Sequence, residues 1–231
     1  IVVLVITYFM AGSSTATQMY TGEARESIMP NVIESSRFIW KVSVVYLAAG
    51  TLALGICLLA QGLAPVRSFF QSSCLFMAGF DTGGFTPQAM SVGYYRSLPV
   101  ELITIVFMVL GMINFAVQYE VWGRRPGELV RNMETRTISV TVLITLGLVL
   151  AGLSIAGVFG SFGAELRRGG YQLISGHSGT GFMTVSPQQM GARWGDLTLF
   201  GIIIAMALGG CAGSTSGAIK AFRVGVLAKE I

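Results

Sequence analysis

Ala78-Gly79-Phe80-Asp81-Thr82-Gly83-Gly84-Phe85-Thr86-Pro87-Gln88-Ala89-Met90 is the stretch on which the fold turns, because its second half recurs downstream. Gly84-Phe85-Thr86-Pro87-Gln88-Ala89-Met90 is matched by Gly181-Phe182, followed by Ser186-Pro187-Gln188-Gln189-Met190. The Gly-Phe pairs lie 97 positions apart and the Pro-Gln pairs 100, so the second copy carries a three-residue insertion. Each copy follows a long apolar run and a short apolar segment, and each precedes another long apolar run. The repeating unit is therefore helix, half-helix, Gly-rich turn, helix. Two copies fill most of residues 38–222, and residues 1–22 read as the closing helix of an earlier copy.

Outward from these turns the chain is apolar. Of its 231 residues 53% are hydrophobic and only 11% are charged, whereas a soluble domain carries about 25% charged residues. This balance argues against a soluble globular enzyme, a disordered tail and a nucleic-acid binder. The net charge of +4 forms no basic stripe, because apolar runs separate the basic residues. A bilayer-spanning helix needs roughly 20 mostly apolar residues, and residues 1–22, 42–66, 102–119, 137–164 and 197–219 qualify. Residues 68–80 and 169–185 are too short or too polar to span and read as re-entrant segments. The expected organisation is a closing helix (1–22), a cytoplasmic loop (23–41), a second pore repeat (42–119), a cytoplasmic loop (120–137), a third pore repeat (138–222) and a cytoplasmic tail (223–231). With that topology Arg25, Arg37, Lys41, Arg124, Arg125, Arg131, Arg136, Lys220, Arg223 and Lys229 share one face. Only Arg67, Arg96, Arg167, Arg168 and Arg193 lie on the other, so the first face is cytoplasmic.

The turns carry the chemistry. Pro65 suits the first position of the half-helix, where no backbone donor is lost, and Gly79 suits its C-terminal end. The half-helices lead into Asp81-Thr82-Gly83-Gly84-Phe85 and Ser178-Gly179-Thr180-Gly181-Phe182. Irregular backbone at membrane depth is tolerated only where protein or a water-filled cavity covers it. Glycine admits conformations in which successive carbonyls point the same way. Rings of such carbonyls replace the hydration shell of a permeating cation, and half-helix C-termini carry partial negative charge that favours it. Two such turns in the same context point to a pore or binding path rather than to packing turns.

Three stretches resemble the membrane subunit of the Trk/Ktr/HKT potassium transporter superfamily, nearest to its bacterial TrkH type. They are residues 78–86 with Ser91-Val92-Gly93-Tyr94-Tyr95, residues 178–182, and Gly209-Gly210-Cys211-Ala212-Gly213-Ser214-Thr215-Ser216-Gly217-Ala218-Ile219-Lys220. The resemblance implies an all-α integral membrane fold of helix–pore-helix–helix repeats around a potassium-channel-like pore. This chain would hold the end of the first repeat, all of the second and most of the third, so the pore is incomplete in it and the remaining pore repeats belong to a longer chain. Gly84 and Gly181 become the filter glycines, and glycine at both goes with potassium selectivity in that superfamily. Thr82, Gly83, Ser178, Gly179 and Thr180 would supply neighbouring carbonyls, with Phe85 and Phe182 closing the turns. Asp81 departs from the usual small or apolar residue; it either attracts cations at the mouth or caps local backbone amides. Gly209, Gly210, Ala212, Gly213, Ser214, Thr215, Ser216 and Gly217 would form an intramembrane gating loop, where the plain alternative is a close helix–helix contact. Ala218 stands where the family often has glycine. Lys220 and Arg223 anchor the helix by snorkelling or help set the gate. The resemblance further implies K+ as the transported ion, an inner (plasma) membrane location, a homodimer, and a cytoplasmic nucleotide-binding regulatory subunit of the TrkA type.

Other chemistries fit less well. Gly176-His177-Ser178-Gly179 matches the G-x-S-G of rhomboid-type intramembrane serine proteases, but such a protease needs a His on another helix, and His177 is the one His of the chain. His177 is expected to make a structural hydrogen bond near the filter. Residues 213–220 do not meet the phosphate-loop spacing G-x-x-x-x-G-K-[S/T]. Cys57, Cys74 and Cys211 lie apart inside apolar segments and read as buried thiols. A structural helix bundle without a transport role is the remaining alternative.

Overall fold

The computed structural model describes residues 32–230, and among them every regular element is helical. The expected closing helix at residues 1–22 lies outside the described residues. Helix α1 (Val32–Ala60) begins ten residues before the expected span. Glu34, Arg37 and Lys41 continue it with their side chains exposed, and Lys, Arg and Glu are good helix formers. Helix α2 (Pro65–Phe80) starts with Pro65 in its first turn and packs against α1. At about 1.5 Å per residue its 16 residues fall short of a hydrocarbon core of about 30 Å. Residues 81–90 are irregular, and a 3₁₀ turn (Ser91–Tyr94) leads to helix α3 (Leu98–Met112).

The apolar run at 102–119 is not one span. Helix α3 ends at Met112, and helix α4 (Phe115–Trp122) leaves at 106° to it. Asn114 sits at the bend, and its side-chain oxygen accepts from Ala116 N–H at 2.8 Å to cap α4. The short helix α5 (Gly127–Arg131) precedes helix α6 (Met133–Ala156), whose cap is Asn132. The run at 137–164 divides in the same manner. Gly157 turns left-handed at φ 60° and ends α6, and helix α7 (Phe162–Ser178) has already begun, capped by Ser161. The second segment expected to re-enter thus starts seven residues before its expected boundary. Helix α8 (Pro187–Arg193) and helix α9 (Gly195–Leu208) follow. Residues 209–220 carry no helix, and helix α10 (Ala221–Glu230) resumes afterwards.

By length and composition α1 and α6 can each cross a membrane, and the pair α3 and α4 is apolar enough together but bent by 106° at the break. Burial follows the repeat. One core gathers Leu54, Leu58, Leu75, Phe76 and Phe107 from α1, α2 and α3, and Tyr171 and Phe182 of the second copy insert into it. A second core joins Val149, Leu153, Leu173 and Ile202 of α6, α7 and α9 around Trp194. A third, small cluster of Met112, Ile138, Cys211 and Ala221 surrounds the non-helical stretch.

Candidate functional site

The two short helices α2 and α7 end alike. The carbonyl of Gly79 accepts from Thr82 N–H at 3.4 Å, and that of Ala78 accepts from Gly83 and Gly84 N–H at 2.9 and 3.2 Å. Shifted by 97 positions, Gly176 accepts from Gly179 at 3.0 Å, and Ser175 accepts from Thr180 and Gly181 at 3.0 and 3.4 Å. The backbone repeats too: φ is 53° at Thr82 and 71° at Gly84, then 74° at Gly179 and 83° at Gly181. The sequence repeat is therefore a repeat of hydrogen bonding and dihedral angle.

The turns also touch. A Cβ on Gly84 would run into the Thr180 carbonyl oxygen, whereas a Cβ on Gly181 would meet nothing within 4 Å. Glycine is required at 84 by both dihedral and space, and at 181 by dihedral alone. Phe182 is fully buried against the first copy, while Phe85 is exposed. Beyond the turns, the Ser91–Tyr94 segment docks on the second copy: Gly93 N–H donates to the Met183 carbonyl at 2.8 Å.

The stretch 209–220 lies directly against the two helix ends. Its base is closed, since Ile219 N–H donates to the Ala207 carbonyl at 3.0 Å and Ala221 N–H to the Gly210 carbonyl at 2.9 Å. Its tip meets the turns. The Ser216 hydroxyl donates to the Ser178 carbonyl at 2.7 Å, and the Thr82 hydroxyl donates to the Thr215 carbonyl at 3.0 Å. Thr215 Oγ1 lies 2.8 Å from both the Phe80 and the Gly111 carbonyl oxygens and shares its proton between them. The last carbonyls of a helix have no partner within it; here loop hydroxyls fill that need at both α2 and α7. Lys220 Nζ donates to the Ser216 carbonyl. Ala218, which stands where glycine was the family norm, is left-handed at φ 62°.

The bend between α3 and α4 completes the arrangement. Gln118 Nε2 donates to the Leu110 and Ile113 carbonyls at 3.0 and 3.1 Å. The Gly111 carbonyl accepts from Thr215 N–H and the Met112 carbonyl from Cys211 N–H, both at 3.0 Å. In return Phe115 N–H donates to the Gly213 carbonyl at 3.2 Å. Two irregular backbones thus satisfy one another, as irregular backbone inside a membrane must be satisfied by protein or water. One carboxylate ties them together. Glu134, 6% exposed, accepts from Ala212 N–H at 2.9 Å through one oxygen and from Asn114 Nδ2 at 3.3 Å through the other.

Thr82, Gly83, Gly84, Ser178, Gly179, Thr180, Gly181 and Phe182 are brought together at the facing turns, with Gly210, Ala212, Gly213, Ser214, Thr215, Ser216 and Gly217 beneath them. The stretch 209–220 is a loop, so the helix–helix reading of its glycine spacing is set aside. Asp81 is exposed, and its neighbours Phe80 and Thr82 both bond Thr215 of the loop. His177 Nε2 lies 3.0 Å from Thr141 Oγ1, and the Ser178 hydroxyl lies 2.7 Å from Thr180 Oγ1, so no Ser–His pair forms. Gly111, Asn114, Gln118 and Glu134 escaped the sequence reading. The signal for two of them was faint: Asn114 and Gln118 are polar residues inside an apolar run.

The TrkH family model, described as a cation transport protein, matches residues 2–231. The Trk system potassium uptake protein TrkG of Escherichia coli (strain K12) is 26% identical over 209 residues, which is 89% of this chain and 40% of that protein. The Trk system potassium uptake protein TrkH of Vibrio parahaemolyticus is 27% identical over 202 residues, 84% of this chain and 38% of that protein. The crystal structure of the potassium transporter TrkH from Vibrio parahaemolyticus superposes with a TM-score of 0.72 at 22% identity, over 87% of this chain and 41% of that one. The chain spans about two fifths of the length of the curated relatives it matches.

Proposed function

The chain belongs to the TrkH family of cation transport proteins, and from that premise we propose that it carries part of a potassium uptake pathway. Its function is coordination and passage of an ion, not catalysis. Backbone carbonyls of Thr82, Gly83, Gly84 and Phe85, and of Ser178, Gly179, Thr180, Gly181 and Phe182, line the filter. The dipoles of α2 and α7 direct partial negative charge toward the cation as it enters. The remaining pore repeats of the full-length protein complete the ring. The loop 209–217, with Lys220 at its end, obstructs the pathway beneath the filter and gates it, and Asp81 draws cations to the loop-facing mouth.

The observation that carries this reading is the paired geometry of the turns: the same three hydrogen bonds and the same left-handed positions, 97 residues apart, meeting at Gly84 and Thr180. A packing turn has no need to repeat its dihedral angles. The names of the relatives, which are potassium uptake proteins, support potassium as the ion. Their designation as parts of a Trk system supports further components. We extend the reading to a homodimer in the cell's inner membrane, served by a nucleotide-binding cytoplasmic subunit of the TrkA type.

The test is substitution of the two glycines in the full-length protein. Gly84→Ser and Gly181→Ser should each weaken rubidium over sodium uptake in reconstituted vesicles. Gly84→Ser should do so more strongly, because its side chain would meet the Thr180 carbonyl. An unchanged flux ratio in both variants would sink the filter assignment.

A further inference from the structure

We infer that Arg168, paired with the buried Glu101 that Arg167 also grips, is a positioning residue for the second filter turn and helps determine its ion selectivity. The inference rests on the filter reading above and adds a residue set that the reading does not use.

The segment that leaves the second turn, Met183-Thr184, belongs to no regular element. All four of its backbone polar groups are nevertheless taken. Met183 N–H donates to Ser91 Oγ at 3.1 Å, and the Met183 carbonyl accepts from Gly93 N–H at 2.8 Å. Thr184 N–H donates to Gln172 Oε1 at 3.0 Å, and the Thr184 carbonyl accepts from Arg168 Nη1 at 3.0 Å. The first two bonds come from the first copy and the last two from α7. This bracing fixes the position of the backbone two residues after Gly181-Phe182, and carbonyl position is what a backbone filter selects by.

Of the four braces only the last depends on a long, charged side chain, and that side chain is itself held by a third element. Glu101, in the first turn of α3, is 2% exposed. It accepts a two-pronged pair from Arg167, Nε at 2.7 Å and Nη2 at 2.9 Å. Its oxygen also lies 3.7 Å from Arg168 Nη1. A planar guanidinium matches a carboxylate in this way, which a flexible ammonium cannot do. A buried carboxylate without its partners would be an uncompensated charge, so α3 cannot shift against α7 without drawing Arg168 along. The first copy has no such device: Phe70 and Gln71 stand at the positions 97 residues earlier, and Gln71 bonds the Tyr95 hydroxyl at 3.0 Å. The brace is an addition to the repeat rather than a part of it.

An ordinary structural ion pair between α3 and α7 would alter the amount and thermal stability of the protein and leave selectivity alone. The experiment therefore reads the rubidium-to-sodium flux ratio of the full-length protein in vesicles, together with protein amount and melting temperature. Arg168→Gln removes the bond to Thr184 and leaves Arg167 to pair Glu101. It should lower the flux ratio at least threefold at wild-type protein amount, and Arg168→Lys should recover only part of the loss. Glu101→Asp, which withdraws the carboxylate by one methylene, should give an intermediate ratio. Should Arg168→Gln not accumulate, Arg168→Lys and Glu101→Asp decide, and an unchanged ratio in both overturns the inference. Gly181→Ser is the control that separates the two readings. A changed ratio there with an unchanged ratio in Arg168→Gln overturns the brace and leaves the filter standing. An unchanged ratio in Gly84→Ser, Gly181→Ser and Arg168→Gln alike overturns both.

Discussion

Glu134 is the residue at which the gate reading is most exposed to test. Both of its oxygens are engaged, one by the Ala212 amide in the loop and one by Asn114 at the α3–α4 bend. Glu134→Ala leaves a buried N–H and a buried side-chain amide without partners, a loss of about 1–3 kcal/mol for each unsatisfied group. The loop should then loosen, raising ion flux without a stimulus and lowering the melting temperature. Glu134→Gln keeps an acceptor for Ala212 but turns an amide NH2 toward the Asn114 Nδ2 donor, so it should restore tight gating while recovering only part of the melting temperature; equal flux in the Ala and Gln variants would remove Glu134 from the gate. None of this was legible in the sequence. A Glu two residues after Asn132 reads as an acidic residue favoured by the start of a helix, and its partner at 212 lies 78 positions away. Gly84 and Gly181 were legible because the part of their constraint that they share, the left-handed dihedral, is local. A left-handed turn selects glycine on its own strand of chain, so the requirement leaves a repeated mark.

Among the elements, the two short helices α2 and α7 could be read from composition, since charge and glycine interrupt the apolar runs at both. The bend between α3 and α4 could not, because no Pro, Gly or charge stands at Ile113-Asn114. What permits the bend is distant: four carbonyls freed from helix, two met by Gln118 and two by the loop. The 97-residue offset likewise gave the turns away but not the early starts of α1 and α7. There a helix extends through charged residues that a hydropathy reading assigns to loops. The bend yields its own prediction. Gln118→Leu keeps much of the side-chain volume and removes the donor to Leu110 and Ile113. With the Ile113 carbonyl unpaired and the Leu110 carbonyl left to the Ile113 N–H at 3.4 Å, the full-length protein should lose about 1–3 kcal/mol of stability, read as a lowered melting temperature in detergent. Gln118→Glu, which also lacks the donor, should behave alike, and a wild-type melting temperature for both would mean that the bend holds without this side chain.

At the scale of the whole molecule, the proposed filter and the proposed gate are not separate devices. The carbonyls that end α2 and α7, at Phe80 and Ser178, are occupied by hydroxyls of Thr215 and Ser216. Thr82, at the start of the first turn, donates back to the loop. When the loop withdraws, both pore-helix ends lose their partners at once, at the place where the helix dipoles face the ion. Loop position and ion occupancy therefore bias one another, and such coupling is reciprocal. An ion held well by the filter should favour the open loop by offsetting the carbonyls it bares. Thr215→Val with Ser216→Ala removes the hydroxyls while nearly keeping shape, and it should weaken that link. The wild-type protein should show a loop equilibrium that differs between potassium and sodium, followed by a spin label or fluorophore placed in the loop. Typical couplings of about 1–3 kcal/mol correspond to roughly 5–150-fold in apparent ion affinity, so the difference lies within reach of a titration. In the double variant the two ions should give nearly the same loop equilibrium. A variant whose loop still distinguishes potassium from sodium as well as wild type does would show that the hydroxyl contacts serve packing alone, and that filter and gate communicate by another route.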